Sequence, residues 1–264
     1  MPLLPIINVA APLTRHHLNR GLVLRLQNLP QGQWTRGTKW RDLCRRNDAT
    51  FASGAAWVGP QGRHGGFGCV SANGASNHLT CTNDASLNIS GPMTLAAWLK
   101  PSTGSTTMYV VKKATLSSVD GYELALSSAG KIFFRVNQFT SADTYRINST
   151  TSFPVTPTWF HACAVYDGAN LNLYLNGKSD ATAVTGPASI TTNSLALGIG
   201  AQPDGTSRFG GSYDDVRIWN RALSAAEVWE MYLFSRLRFD PTLNFINSRI
   251  APAGNRRRRL ICMG

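Results

Sequence analysis

The chain has 264 residues, 43% of them hydrophobic, and no apolar run approaches the ~20 residues of a membrane-spanning helix. Its formal charge of +12 is unevenly spread: residues 235–264 hold seven Arg against Asp240 alone, residues 1–20 hold Arg15 and Arg20, and +4 remains for residues 21–234. The basicity belongs mostly to an appendage, and the body of the chain gives no charge-based reason to expect a nucleic-acid-binding face.

Residues 1–20 carry two early prolines and no leading positive charge, unlike a secretory signal, and read as an extended arm. Gly21–Leu26 alternates as a first strand. Gln31–Lys39, polar, Gly-bearing and carrying Trp34, reads as an exposed loop. A ladder of strands follows: 77–81, 88–100, 109–112, 122–126, 131–136, 159–167 and 171–175, the last with Leu171, Leu173 and Leu175 on one face. Asn176-Gly177 is a two-residue hairpin turn, because both central positions need positive φ. After a strand at 195–199, the stretch 208–232 organises the chain. Val216 and Ile218 share one face of a strand, with Arg217 and Trp219 on the other. Ser224-Ala-Ala-Glu227 has capping-box spacing, and Val228, Met231 and Tyr232 form the apolar stripe of one short helix. So many strands between Gly, Ser, Asn and Thr turns indicate a sandwich or jelly roll.

The closing stretch Asp214-Asp-Val-Arg-Ile-Trp-Asn-Arg-Ala-Leu-Ser-Ala-Ala-Glu227 resembles the last strand and helix of laminin-G-like, concanavalin A-like jelly rolls, with Trp219 where that family usually has tyrosine. Residues 88–100 are similar to its L-x-I-x-G-x-x-T-x-x-x-W-x-K segment, and 159–168 to W-x-H-x-A-x-x-Y-D-G. Asp42 and Asn47 resemble the ends of its D-x-x-G-x-x-N turn, but the glycine is missing, with Arg45 and Arg46 in that region. The resemblance implies an all-β, concanavalin A-like jelly-roll sandwich over residues 21–234, with one short C-terminal-side helix, an arm at 1–20 and a basic assembly arm at 235–264.

Little in the sequence carries catalysis. Glycoside hydrolysis needs two carboxylates across one bond. Only three glutamates are present: Glu227 is a cap, Glu230 lies on the same helix, and Glu123 stands alone on its strand. Asp214 and Asp215 are adjacent, so a regular strand points them to opposite faces. His161 reads as a structural histidine. Five cysteines, none in CxxC spacing, argue against zinc; Cys163 reads as core, and Cys69 and Cys81 could face each other if their strands pair. No catalytic residue, metal site or cofactor is assigned. The resemblance brings calcium as a ligand, with Asp42, Asn47, Asp204 and Asp215 as candidate contributors that no spacing selects. Trp34, Trp40 and Tyr145 sit in loop-like stretches and are the candidate glycan contacts.

The resulting expectation is a non-enzymatic structural virion protein, a capsid decoration or surface fibre. Residues 17–23 and 40–47 also resemble laminin-G-like proteins encoded among tailed-phage structural genes. Its assembly arm would use Phe239, Phe245 and Ile250 as apolar anchors and Arg256, Arg257, Arg258 and Arg259 as carboxylate-binding forks. Expected partners are neighbouring copies in a homo-oligomer, a major capsid or other virion protein, and surface glycans, with no membrane; contact with encapsidated nucleic acid is the rival role for the four arginines. The alternative is a secreted or cell-surface glycan-binding module, extracellular in location.

Overall fold

The computed structural model describes residues 16–27, 35–36, 38–52, 56–58, 69–102, 104, 106–116, 118–153 and 158–236. The chain opens with α1 (His16–Asn19), β1 (Leu22–Leu26), β2 (Thr35–Arg36), β3 (Lys39–Trp40), β4 (Ala49–Ala52), β5 (Ala56–Val58), β6 (Cys69–Asn73) and β7 (His78–Cys81). Then come β8 (Met93–Pro101), β9 (Met108–Thr115), β10 (Val119–Leu126), β11 (Lys131–Val136), α2 (Gln138–Ser141) and β12 (Arg146–Ser152). The last third holds β13 (Phe160–Tyr166), β14 (Asn170–Leu175), β15 (Lys178–Ser179), β16 (Val184–Thr185), β17 (Leu197–Ile199), β18 (Gly210–Trp219) and α3 (Ala225–Arg236).

The strands form two antiparallel sheets. The first has the order β15-β14-β13-β8-β18-β6-β5, with β1 added to β18 and β16 to β14; the second runs β12-β11-β10-β9-β17-β7-β4-β3-β2. The main core contains residues such as Leu24, Leu95, Val110, Phe134, Leu173, Ile199, Tyr213, Val216 and Ile218, contributed by both sheets. The alternation read at Val216 and Ile218 is therefore the core face of β18, and the expected all-β sandwich is present. Leu171, Leu173 and Leu175 are buried while Asn170, Asn172 and Tyr174 are half-buried, as a period of two requires. Asn176 and Gly177 both have positive φ, as the hairpin turn demands.

A second cluster lies on the other side of the first sheet. Leu18, Ala96, Cys163, Val165 and Trp219 pack with Leu223, Val228 and Met231. Because α3 supplies this cover, β13 is buried along its whole length and shows a continuous apolar run rather than alternation. The helix start has both capping-box bonds: the Glu227 amide donates to Ser224 Oγ (3.3 Å) and the Ser224 amide to Glu227 Oε2 (2.9 Å). Val228 and Met231 face inward as read, but Tyr232 is only half-buried, and Ser235 takes the covered position. The physical reason is polar: the Trp98 indole N–H needs an acceptor and finds Ser235 Oγ at 2.9 Å.

Three expectations need correction. The stretch 31–39 is not all loop, since β2 and β3 form a small hairpin attached to β4. The condition for Cys69 and Cys81 to meet is not fulfilled, because β6 and β7 lie in different sheets and do not pair. Asp214 and Asp215 do not occupy regular opposite faces: Asp215 has φ 52° and the register between β18 and β8 shifts between Asp214 and Arg217, so a bulge interrupts the strand.

Ser224→Ala is expected to cost about 1 kcal/mol in urea unfolding, through loss of the cap. Met231→Asp is expected to cost several-fold more, because it buries an unpaired charge between α3 and the sheet. An unchanged unfolding midpoint for Met231→Asp would show that α3 is not docked.

Candidate functional site

A depression lies at the loop rim of the sandwich, and it is built around Asp42. This carboxylate is buried and accepts four backbone amides: Arg25 (2.8 Å), Cys44 (2.9 Å), Arg46 (3.1 Å) and Asn47 (2.9 Å). Asn47 fastens the same turn, donating through Nδ2 to the Val23 carbonyl (2.9 Å) and Ser86 Oγ (3.0 Å). The turn presents Arg45 and Arg46 outward, both exposed, and leaves Asn47 Oδ1 buried without a hydrogen-bond partner among the described residues. Arg45 has φ 60°. The turn therefore places a guanidinium where left-handed backbone costs an L-residue about 1–2 kcal/mol.

The basin between this turn and residues 82–84 has a volume of about 800 Å³, within the size range of ligand pockets. Its three carboxylates are all engaged. Asp42 is occupied as described; Asp48 accepts from Arg41 (2.8 Å) and the Asp42 amide (2.9 Å). Asp84 accepts from the Ser86 amide (2.8 Å), and the Ser86 bonds, with Arg46 nearby, hold its carboxyl below the usual range. Lys39, Arg45 and Arg46 have no ion-pair partner among the described residues. Asn83 is fixed from below by Lys113, whose Nζ also donates to the carbonyls of Asn193 (3.2 Å) and Leu195 (2.6 Å). Burial pulls this ammonium down to about 8.

The predicted contact residues do not make this site. Trp40 is fully buried, not exposed in a loop. On β3 it alternates with exposed Lys39, so the strand turns its apolar side chain to the core, 6.4 Å from the Tyr213 ring. Tyr145 is half-buried and packs against the core. Trp34 lies outside the described residues, as do Phe239, Phe245, Ile250, Arg256, Arg257, Arg258 and Arg259. The calcium candidates do not converge. Asp42 and Asn47 hold the rim turn, Asp204 accepts from the Thr206 amide (2.9 Å), and Asp215 is held by Arg217. Among the described residues no group of three His, Cys, Asp or Glu is arranged to hold a metal ion.

Glu123 is not alone. It faces Lys112 on β9 and Arg135 on β11 in register and pairs with both at 2.5 Å, all three being buried. Glu227 is held by Arg221 (2.7 Å) and Glu230 by His17 (2.7 Å), so each of the three glutamates has a basic partner. His161 is buried beside Trp98 (5.3 Å between centroids), and its Nδ1 has no hydrogen-bond partner. Burial, with Arg217 adding to it, pushes the imidazole down to about 3. It is a neutral packing group, not a base. The Lys112–Glu123–Arg135 triad left no signal in the sequence, because only strand register brings the three together.

The fold has a family. A model described as the concanavalin A-like lectin/glucanases superfamily matches residues 73–229, more than half of the chain. The chain belongs to the concanavalin A-like lectin/glucanases superfamily. The matched segment includes Thr82–Asp84 but not the turn that carries Arg45 and Arg46. Adhesion G-protein coupled receptor V1 of Danio rerio is 25% identical over 177 residues, 65% of this chain and 3% of that protein. Domain 4 of AbnA, a GH43 extracellular arabinanase of Geobacillus stearothermophilus solved with arabinotriose, superposes with a TM-score of 0.59 at 16% identity over 80% of this chain and 98% of that one. The botulinum neurotoxin serotype D ligand-binding domain, solved with N-acetylneuraminic acid, gives 0.62 at 12% identity over 84% and 53%. The binding domain of Paraclostridial Mosquitocidal Protein 1 gives 0.62 at 16% over 81% and 52%. The chain thus spans about half the length of these toxin domains.

The His161 site predicts an acid response. The ring stays neutral in the fold, whereas the unfolded chain takes up a proton below the ordinary value of 6.5. Its contribution is therefore complete above pH 6.5 and is lost as pH falls toward about 3, at up to about 1.4 kcal/mol per pH unit. His161→Phe, which keeps a ring in place, is expected to flatten the stability slope in that window. An unchanged slope would show that another group sets it.

Proposed function

We propose that this jelly roll is a non-catalytic, lectin-like module that binds a glycan in the rim basin and works at an extracellular surface. The observation that carries the reading is Arg45 in left-handed backbone over a basin whose carboxylates are all consumed by the fold. Strain of that kind is retained where a side chain is needed in a particular place. The AbnA domain supports the reading, since nearly all of it is matched and it was solved with a saccharide. The three glutamates, each bonded to a basic side chain of its own, offer no carboxylate pair for hydrolysis.

The test is a saccharide array followed by calorimetry on the full chain. Arg45→Gly is expected to raise stability by up to about 1 kcal/mol while weakening binding about tenfold or more. Asn83→Ala is expected to weaken binding without unfolding the domain. Retention of full affinity by both variants would move the site elsewhere, and the absence of any saccharide binding would end the reading.

A second, finer reading concerns what carries the module. His17 pairs with Glu230 at 2.7 Å, and the Trp219 indole donates to the Leu18 carbonyl at 2.7 Å, so the N-terminal arm departs beside α3. The C-terminal arm departs from the end of that same helix, after Arg236. Both arms thus leave from the α3 side, which suits attachment through them to a virion surface, with copies of the chain and a capsid protein as partners. Deleting residues 237–264 is expected to leave a folded sandwich that no longer joins its assembly. Assembly at the wild-type level would refute the virion role and leave the free glycan-binding module.

A further inference from the structure

α3 is more apolar than its place on the sheet requires. A helix laid on one sheet needs one apolar stripe, and Val228 and Met231 supply it. Ala226, Trp229 and Leu233 follow one another at i, i+3 and i+7, so they line a second stripe on the opposite side of the helix. Ala226 and Trp229 are exposed and Leu233 is half-buried. The Trp229 ring rests on the Gly177 hairpin tip, where a Cβ would lie 2.7 Å from it, and beside Tyr232 (5.7 Å between centroids). It is still 39% exposed. Apolar stripes on both sides suit a helix with a neighbour on both sides, and the sheet is one of the two.

The residues that follow α3 point to the other neighbour. Residues 237–264 lie outside the described residues, but their sequence carries helix signals of its own. Asp240 is an N-cap residue type, and Pro241 suits the first helical position. Pro252 sets the stop, because the residue before a proline is pushed out of helical backbone. Between them Leu243, Ile246 and Ile250 repeat the i, i+3, i+7 spacing of the outer stripe of α3. Arg249 falls in the last turn, where the helix dipole favours a cation. A helix over residues 241–250 would be about 15 Å long, enough to run from Leu233 past Trp229 to Ala226. Alone in water a helix of that length is marginal and needs a packing face. Only residues 237–240 separate it from Arg236, the connection length of an antiparallel αα-hairpin. Four extended residues reach at most about 14 Å, which favours the outer face of α3 in the same chain over that of a second copy.

We propose that residues 241–250 form a second helix, packed antiparallel on the outer face of α3 of the same chain, with Ile246 against Trp229. The proposal stands apart from the glycan and virion readings. It changes what the C-terminal arm has to offer a partner. Ile250 then serves the chain's own packing, Phe245 lies on the other face of the new helix, and the arm proper is the stretch after Pro252 that carries Arg256–Arg259.

The experiment is amide hydrogen exchange, read by mass spectrometry on the full chain. Amides of residues 243–250 are expected to exchange about tenfold or more slowly than in a synthetic peptide of residues 237–252, because the docked helix must open first. Trp229→Ser is expected to remove that protection, and Trp229→Phe, which keeps a ring on the stripe, to retain most of it. Ile246→Ser, which leaves α3 itself untouched, is expected to act like Trp229→Ser. Slow exchange of β13 and β18 in the same spectra checks that each variant is folded. The protection is expected to be independent of protein concentration. Exchange as fast as in the peptide overturns the helix. Protection that survives both Trp229→Ser and Ile246→Ser overturns its seat on α3. Protection that appears only as the chain dimerises with rising concentration overturns docking within one chain and assigns the face to a second copy.

Discussion

The fold hinges on the bulge at Asp215. β18 pairs with β8 along one edge, but its other edge changes partner, holding β6 through residues 210–213 and β1 through residues 216–219. Asp215, at φ 52°, sits at the changeover, and its carboxylate binds Arg217 at Nε (2.8 Å) and Nη2 (2.5 Å), with Arg25 Nε of β1 at 3.6 Å. A buried carboxylate of this kind tolerates no missing partner, because an uncompensated buried charge costs about 3–5 kcal/mol. The clamp fixes where β1 begins to pair. β1 in turn carries the rim, since the Arg25 amide donates to Asp42 and the Arg25 carbonyl accepts from Leu43 (3.0 Å). The position of Arg45 and Arg46 is thus set by a bulge on a central strand.

The second layer completes the support. The first sheet is covered on its outer face by α3 and by Leu18, and Trp219 and Cys163 pack beneath them. Arg221 ties the parts together: it pairs with Glu227 and donates to the carbonyls of His17 (2.7 Å) and Arg20 (2.7 Å). One guanidinium therefore holds both the helix cap and the N-terminal segment. Gly177 fits the same logic, because a Cβ there would lie 2.7 Å from the Trp229 ring, and the hairpin tip docks against α3 only as glycine.

Charge is divided by task along this edge of the sandwich. The acids serve folding: Asp42 gathers amides, Asp48 holds Arg41, and Asp84 and Glu227 cap helical turns. Arg20, Lys39, Arg45 and Arg46 are left without an ion-pair partner among the described residues. Formal counting gave the body of the chain only +4 and no charge-based reason to expect a nucleic-acid-binding face. That count treated every carboxylate as able to neutralise a neighbouring cation, whereas a carboxylate already surrounded by backbone donors has little left to offer.

The sequence by itself determined what acts over a few residues. The capping box at Ser224, the Asn176-Gly177 turn, the leucine alternation of β14 and the Val216–Ile218 face all depend on backbone geometry and side-chain period, and these are written locally. The closing motif and the W-x-H strand located the superfamily for the same reason. Only the tertiary structure decided the rest. Trp40 looked like a loop aromatic until β3 paired with β4 and turned it inward. Glu123 looked solitary until β9 and β11 brought Lys112 and Arg135 beside it. The rim turn at residues 42–47 comes beside residues 82–84, and residues 17–21 beside 220–227, because β1 pairs with β18 beyond a bulge. Strand partner and register are chosen by the packing of the whole sandwich, so features that cross strands are invisible along the chain.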